Sequence, residues 1–225
     1  IKELQPKVFV MENVSGMMKG KMKGMFLEIL AELKSCGYNV KCKLMNAMWY
    51  EVPQSRERLF FIGVRNDLNI EPSFPEPLKR FITFKEATRG IKDNDKTPEL
   101  TKSVINFVPK MKEGQNLYDV GGIGFQTERI YENKVCPTLI KLKAGIGFGM
   151  LIHPKENRVL SIAEMKRCSS FPDDFKFTEK WIDAKQRIGN AVMPKMMQAI
   201  AETIRDKILS KLDPDIVIKK NGVTL

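Results

Sequence analysis

The stretch "PKVFVMENVSGM", residues 6–17, carries a run of apolar residues directly into a carboxylate. Residues 8–10 are β-branched or aromatic, and this composition predicts a buried β-strand. Glu12 and Asn13 follow at the end of that strand. Since ligands bind at the carboxyl ends of strands in an open α/β sheet, Glu12 is predicted to face a ligand. The alternative is that Glu12 only caps the loop or pairs with a nearby lysine.

The residues beyond this stretch predict more of an α/β fold. Apolar side chains recur at helical spacing over residues 26–33, and Gly37 ends that predicted helix. Strands are predicted near 39–47 and at 59–64. Together they suggest the second half of an α/β sheet. From residue 66 to about 158, prolines and glycines interrupt short strand-like pieces, as in an irregular inserted domain.

Charge and composition limit the classes of partner. The chain has 225 residues, with 38 Lys and Arg against 27 Asp and Glu, which gives a formal net charge of +11. A surplus of this size favours a nucleic-acid partner. No apolar stretch is long enough to span a bilayer and no secretory signal is present, so a cytoplasmic, nucleoid-associated location is expected. The four cysteines form no Cys-x-x-Cys pair, which fits a reducing compartment.

Two further segments place polar side chains in patterns suited to binding. In "QSRERLFFIG" the side chains of Gln54, Arg56 and Arg58 alternate, so an extended segment presents them on one face. The alternative is a solvated, charged edge strand. In "QRIGNAVMP", residues 186–194, a Gly-Asn pair precedes a helix start, where backbone amides meet polar ligands. Its alternative is a simple turn with a helix cap.

Taken together and in this order, the segments resemble the C-terminal two thirds of the DNA cytosine-5 methyltransferases. The family's Glu-Asn-Val motif looks like residues 12–14, and its Gln-x-Arg-x-Arg motif like residues 54–58. "RVLSIAEMKRCSSFPDDF", residues 158–175, looks like its Arg-x-Leu-Ser block ending in Phe-Pro. "GNAVMP", residues 189–194, looks like its final Gly-Asn-x-Val-x-Pro motif. One departure is that residues 168–170 replace the glutamine common before Phe-Pro.

The resemblance implies a fold and a domain organisation. The fold is α/β, with the second half of a Rossmann-like methyltransferase sheet and a smaller, irregular, β-rich target-recognition domain. Residues 1–66 are expected to form the C-terminal half of the catalytic domain. Residues 67–184 are expected to bind DNA as the target-recognition domain. Residues 185–225 are expected to return to the catalytic domain with the final motif and a C-terminal helix.

The resemblance also implies a reaction and its residues. In this family the target cytosine is flipped out of duplex DNA, a cysteine thiolate attacks C6, and S-adenosyl-L-methionine supplies a methyl group to C5. Glu12 matches the carboxyl group that binds cytosine N3 and the exocyclic amine. Arg58 matches the arginine that contacts the cytosine O2, and Arg56 the one that steadies the catalytic loop. The predicted cofactor-binding residues are Asn190, Ala191 and Val192.

The expected partner is double-stranded DNA, as in enzymes of restriction-modification systems. "CPTLIKLKAGIGFG", residues 136–149, resembles the family's Thr-Leu segment followed by groove-reading, glycine-rich loops, although a plain β-hairpin is the alternative. His153 is expected to be a loop residue, and no metal site is expected. The predicted DNA contacts are Gln54 and, through the phosphate backbone, Thr138, Lys141, Lys143 and Arg129.

In this family the nucleophile lies in a Pro-Cys motif upstream of Glu-Asn-Val, and a glycine-rich cofactor loop lies further upstream. This chain has neither motif, and no cysteine here follows a proline. The chain alone is therefore expected to be an incomplete, inactive portion. We expect a missing N-terminal part, especially since residue 1 is not methionine, or a complementary subunit. Two alternative functions remain at this point: an RNA cytosine methyltransferase of the same fold, and a non-catalytic DNA-specificity subunit.

Overall fold

The computed structural model divides into two compact units. The first combines Ile1–Asn46 with Glu57–Pro77 and the segment from Met197, and the second combines Ala47–Arg56 with Leu78–Met196. Residues 47–56 and 185–196 thus belong to the second unit, whereas the predicted division assigned them to the catalytic domain. The structure describes these residues: 1–18, 22–92, 97–123, 127–141, 149–178 and 180–212.

The first unit is built on a three-stranded sheet of order β1-β3-β2. Its strands are β1 (Val8–Val14), β2 (Tyr38–Asn46) and β3 (Glu57–Arg65), and β3 is antiparallel to both neighbours. The predicted strands therefore form, but the buried one is β3. In β1 only Phe9 is buried, whereas β3 is buried continuously from Leu59 to Val64 because it occupies the centre of the sheet.

One helix covers this sheet. Helix α1 (Met22–Ser35) packs its buried Phe26 against Phe61 of β3, with ring centroids 5.8 Å apart. Gly37 ends the helix as predicted, with a φ of 89° that favours glycine. Gly63 allows the close packing of β1 on β3, because a Cβ atom there would lie 2.1 Å from the ring of Phe9. The unit is an α/β structure with its core between α1 and the sheet.

The second unit consists mainly of short helices and irregular segments around its own apolar core. The predicted β-rich character is not confirmed, because its described residues hold only two two-residue strands, which pair in parallel, and isolated bridges. Ser161 and Glu164 form a capping box, since the Ser161 hydroxyl accepts a hydrogen bond from Glu164 N and Ser161 N donates to Glu164 Oε2. The α-helices and strands of the second unit are α2 (Phe84–Thr88), α3 (Lys102–Ile105), β4 (Glu128–Arg129), β5 (Leu151–Ile152), α4 (Ile162–Cys168) and α5 (Trp181–Asn190).

The last described helix, α6 (Pro194–Lys207), begins at Pro194, in agreement with the predicted helix start. Over the described residues, every helix is too short or too polar to cross a membrane.

Candidate active site

The predicted acid of the active site lies in the first unit and forms an ion pair. Glu12 stands on β1 opposite Phe60, and Arg58 on β3 stands opposite Val14. This offset makes the two side chains diagonal neighbours on one face of the sheet. Arg58 Nε lies 2.7 Å from Glu12 Oε1. The structure thus joins two predicted site residues that are distant in the sequence.

The environment of this pair is partly buried. The side chain of Glu12 is 29% exposed and that of Arg58 is 16% exposed. Burial lowers the pKa of the Arg58 guanidinium, and the Glu12 carboxylate opposes that change. Arg58 also donates a hydrogen bond to the backbone oxygen of Glu57 at 2.7 Å, which fixes the guanidinium. The pair is therefore ordered and still reachable by a ligand from solvent.

Gln54, a predicted DNA contact, lies inside the second unit. Its side chain is fully buried, its Nε2 donates to Ser169 Oγ at 3.0 Å, and its Oε1 accepts from Leu139 N at 3.2 Å. Both ends of the amide are thus used within the protein. This arrangement indicates that the Gln54 side chain fixes the 136–139 segment, and a direct contact of Gln54 with DNA stays a prediction.

Arg56 is also buried in the second unit, with 1% of its surface exposed. Its guanidinium donates to three backbone oxygens: Leu139 O at 3.0 Å, Gly189 O at 2.7 Å and Ala191 O at 3.3 Å. The three acceptors come from two different motif segments. Arg56 therefore ties the Thr-Leu segment to the final Gly-Asn motif, whereas Arg58 pairs with Glu12 in the first unit.

Gly189 permits this connection. A Cβ atom at Gly189 would lie 2.6 Å from Lys141 N and 2.8 Å from the carbonyl carbon of Ile140, so only glycine fits beside that backbone. Thr138, predicted to contact phosphate, donates its hydroxyl to Ser55 O at 2.6 Å. We call the group formed by Gln54, Arg56, Thr138, Leu139 and Gly189 the motif clasp.

The predicted cofactor residues lie at the C-terminal end of helix α5, where Asn190 is the last helical residue and Ala191 and Val192 follow it. Asn190 is exposed, and Ala191 and Val192 are half-buried in the short turn that precedes Pro194. An exposed amide beside two small apolar side chains suits a ligand with both polar and aliphatic parts. The backbone of this turn is fixed by a hydrogen bond, since Ala191 O accepts from the Arg56 guanidinium.

The predicted phosphate contacts have different outcomes. Arg129 is only 4% exposed, and its guanidinium donates to His153 O at 2.7 Å, Val108 O at 2.8 Å and Asn157 Oδ1 at 2.7 Å. A phosphate contact from Arg129 stays a prediction; in this structure its Nη1 and Nη2 donate inside the second unit, to the 153–157 loop and to Val108 O. Lys141 is exposed, and a phosphate contact from it stays a prediction. Lys143 lies outside the described residues.

The cysteines do not resemble a nucleophile. Cys136 and Cys168 are fully buried, and the hydrogen bond between them, together with burial, raises the pKa of Cys168. Burial also raises the pKa of Cys42. Raised values keep these thiols protonated, and a thiol is a poor nucleophile. Within the described residues, no group of three or more metal-ligating side chains is present.

Sequence reasoning missed a buried network around His153, which was predicted to be a plain loop residue. Its Nε2 lies 3.4 Å from Glu164 Oε1, and its Nδ1 accepts from Glu156 N at 3.0 Å. Arg158 binds both carboxylate oxygens of Glu164, at 2.8 and 2.9 Å. Burial lowers the pKa of His153, so the ring is held neutral against the two nearby carboxylates. No local sequence pattern predicts that His153 contacts Glu156 and Glu164.

The fold and sequence of the chain match known methyltransferases. A prophage-encoded protein of E. coli, solved as a DNA modification methyltransferase, superposes with a TM-score of 0.75 at 22% identity, covering 92% of this chain and 71% of that one. The S. pombe Dnmt2 methyltransferase superposes with a TM-score of 0.59 at 14% identity, covering 92% of this chain and 68% of that one. At these identities the likeness shows the fold: an α/β fold shared with methyltransferases.

Sequence relatives establish the family. The family model for C-5 cytosine-specific DNA methylases matches residues 1–206, and the chain belongs to that family. Type II methyltransferase M.NgoFVII of Neisseria gonorrhoeae is 32% identical over 89% of this chain and 59% of its own length. Type II methyltransferase M.FnuDI of Fusobacterium nucleatum is 33% identical over 94% of this chain and 68% of its own length. The chain thus spans about three fifths to two thirds of these relatives.

Proposed function

We propose that this chain works in a DNA (cytosine-5)-methyltransferase of the restriction-modification type. The observation that carries this proposal is the Glu12–Arg58 ion pair, an ordered, partly buried acid and guanidinium in reach of a ligand. The Type II relatives support a double-stranded DNA substrate. The target base is a cytosine flipped out of the duplex, because an active site cannot reach C5 and C6 inside a stacked helix.

Glu12 and Arg58 would make C6 of the cytosine ring more electrophilic toward a thiolate. A carboxyl group at N3 and the exocyclic amine takes up the negative charge that develops when a thiolate adds to C6. Arg58 binds the O2 edge and holds Glu12 in position. When bound, the cofactor would supply the methyl group to C5, with its sulfonium sulfur leaving as a thioether; loss of the C5 proton to a base and departure of the thiolate from C6 would then restore the ring double bond.

The cofactor in this proposal is S-adenosyl-L-methionine, which supplies the electrophilic methyl group when bound. Asn190, Ala191 and Val192 would hold part of it. The exposed amide of Asn190 beside two small apolar side chains supports this assignment, because the cofactor presents both polar and aliphatic groups. Arg56 keeps the turn in place through Ala191 O and acts as a positioning residue.

The nucleophilic thiolate is proposed to come from protein outside the printed sequence. The full burial of Cys136 and Cys168 and the raised pKa values of the Cys42 and Cys168 thiols support an external source. Exposed apolar side chains on α1, Met25 and Leu27, also support contact with further protein. Among the described residues β1 pairs only with β3, so its other edge is free to continue a Rossmann-like sheet.

The second unit is proposed to recognise the target sequence. Lys141 is exposed and comes two residues after Leu139 of the motif clasp. The net charge of +11 favours binding to a polyanion. Because Gln54, Thr138 and Arg129 bind inside the unit, they would shape the DNA-binding surface and leave phosphate contact to exposed lysines.

Two assays test this function. The chain is mixed with a polypeptide that carries the family's cofactor loop and Pro-Cys motif, and methyl transfer to duplex DNA and to RNA is measured. Transfer to C5 of cytosine in duplex DNA is expected. Transfer to RNA alone would favour an RNA methyltransferase, and duplex binding without transfer would favour a non-catalytic specificity subunit. The chain alone is expected to bind duplex DNA with an affinity that falls steeply with salt.

A further inference from the structure

The second unit contains a cavity of about 440 Å³ that the reaction does not use. The segment 116–118, strands β4 and β5 and the segment 137–140 enclose it. Tyr118, exposed at its rim, offers an aromatic surface. The cavity is lined by Asn116, Tyr118, Glu128, Pro137, Thr138, Ile140, Gly149 and Leu151.

Glu128 is the only carboxylate among these lining residues. Its backbone is fixed on both sides, because Glu128 N donates to Met150 O at 3.0 Å and Leu117 N donates to Thr127 O at 3.1 Å. The next residue, Arg129, binds backbone oxygens of the 153–157 loop and does not neutralise it. A fixed strand therefore carries the carboxylate into the cavity.

The electrostatic state of Glu128 is unusual for such a basic chain. Burial raises the pKa of this carboxyl group, and no cation among the described residues offsets that effect. Among the described residues its side chain makes no hydrogen bond or ion pair, although lysines and arginines outnumber acids by 11 over the whole chain. A half-buried, unpaired carboxylate costs stability, and such groups concentrate at functional sites.

The chemistry of this site selects its ligand. A carboxylate repels the phosphate backbone, so only a hydrogen-bond donor of the DNA can fill the cavity favourably. In the major groove the exocyclic amine of cytosine is such a donor, and Glu accepts from cytosine N4. Resting on the proposed function, we propose that Glu128 is a specificity-determining residue that accepts a hydrogen bond from cytosine N4 in the recognition sequence.

A selection experiment tests this assignment. The full chain is incubated at fixed salt with duplexes whose central positions are randomised, and the bound fraction is sequenced. Glu128→Gln should lower the preference for cytosine at one base pair by about tenfold or more and favour adenine there, because glutamine recognises adenine N6 and N7. Glu99→Gln is the matched control, since Glu99 is exposed, lies in the same unit and removes the same charge. Urea unfolding should show that both variants are folded.

The outcomes separate the two proposals. Unchanged base preference in Glu128→Gln overturns the assignment while leaving the proposed function intact. Binding of duplex DNA by the wild-type chain without any base preference also overturns it. A chain that does not bind duplex DNA overturns the proposed function and this inference together. A change in preference shared by Glu99→Gln would assign the effect to charge alone and overturn the role of Glu128.

Discussion

Lys185 gives the sharpest physical test of the second unit. Its side chain on α5 is only 2% exposed, and its ammonium donates to Gly149 O at 3.1 Å and contacts Met150 Sδ at 3.3 Å. The ammonium also lies 5.3 Å from the ring centroid of Trp181. Burial lowers its pKa from 10.5 to about 8, and no carboxylate opposes this change. The fold therefore holds an unpaired buried charge.

The free-energy cost follows from the pKa. Each pKa unit is worth about 1.4 kcal/mol, so the charged form costs roughly 3 kcal/mol at pH 7. Lys185→Met removes that cost and loses one hydrogen bond worth roughly 1 kcal/mol. We expect the free energy of unfolding to rise by roughly 2 kcal/mol at pH 7.

The pH dependence has a definite direction. Between pH 8 and 10.5 the unfolded chain binds a proton that the folded chain has lost, so wild-type stability increases with pH across this window. The advantage of Lys185→Met should therefore shrink toward pH 10.5. Urea unfolding at several pH values measures this, with exposed Lys112→Met as the control. A destabilised Lys185→Met, or a difference constant with pH, would refute the reasoning.

Three other changes probe the motif clasp and the His153 network. Arg56→Met should lower the free energy of unfolding by roughly 3 kcal/mol, because three buried carbonyl groups lose their donor; urea denaturation measures this, and a loss below about 1 kcal/mol would contradict it. Gly189→Ala should cost at least about 2 kcal/mol through overlap with the Lys141 backbone, while Gly16→Ala, which has open space, should cost little; thermal unfolding compares them. Wild-type stability should fall as pH drops below about 6.5, since His153 resists the proton that the unfolded chain binds; His153→Gln should weaken this trend, and an unchanged pH profile would count against it.

Local patterns predicted the secondary structure of the first unit because each signal lies within a few residues. Gly37 ended α1 as expected, since its positive φ is a local property. The burial of the strands was harder to predict. An apolar run marked β1 as buried, but β3 is the buried strand because it lies between two neighbours, and strand order is a property of the tertiary structure.

In the candidate site, too, local motifs predicted which residues matter, whereas their contacts depend on the tertiary structure. The family motifs identified Glu12 and Arg58 as site residues, but their ion pair depends on the register of two strands, which sequence spacing does not give. Arg129 was predicted to contact DNA, and no local pattern indicated that its guanidinium binds backbone oxygens inside the second unit. The sequence did not predict a role for Glu128, since whether its carboxylate is paired depends on the positions of cations that are distant in the sequence. Buried polar groups are therefore the features that the sequence least reveals.

The central claim is that Glu12 acts on a cytosine ring during methyl transfer. The most direct measurement is the rate of methyl transfer to duplex DNA by the chain mixed with a polypeptide that carries the family's cofactor loop and Pro-Cys motif, for wild type, Glu12→Gln and the exposed control Glu57→Gln. The account predicts a rate lowered by orders of magnitude in Glu12→Gln, little change in DNA affinity, and near-normal behaviour of Glu57→Gln. Equal losses of affinity and rate in Glu12→Gln, or an unchanged rate, would contradict it.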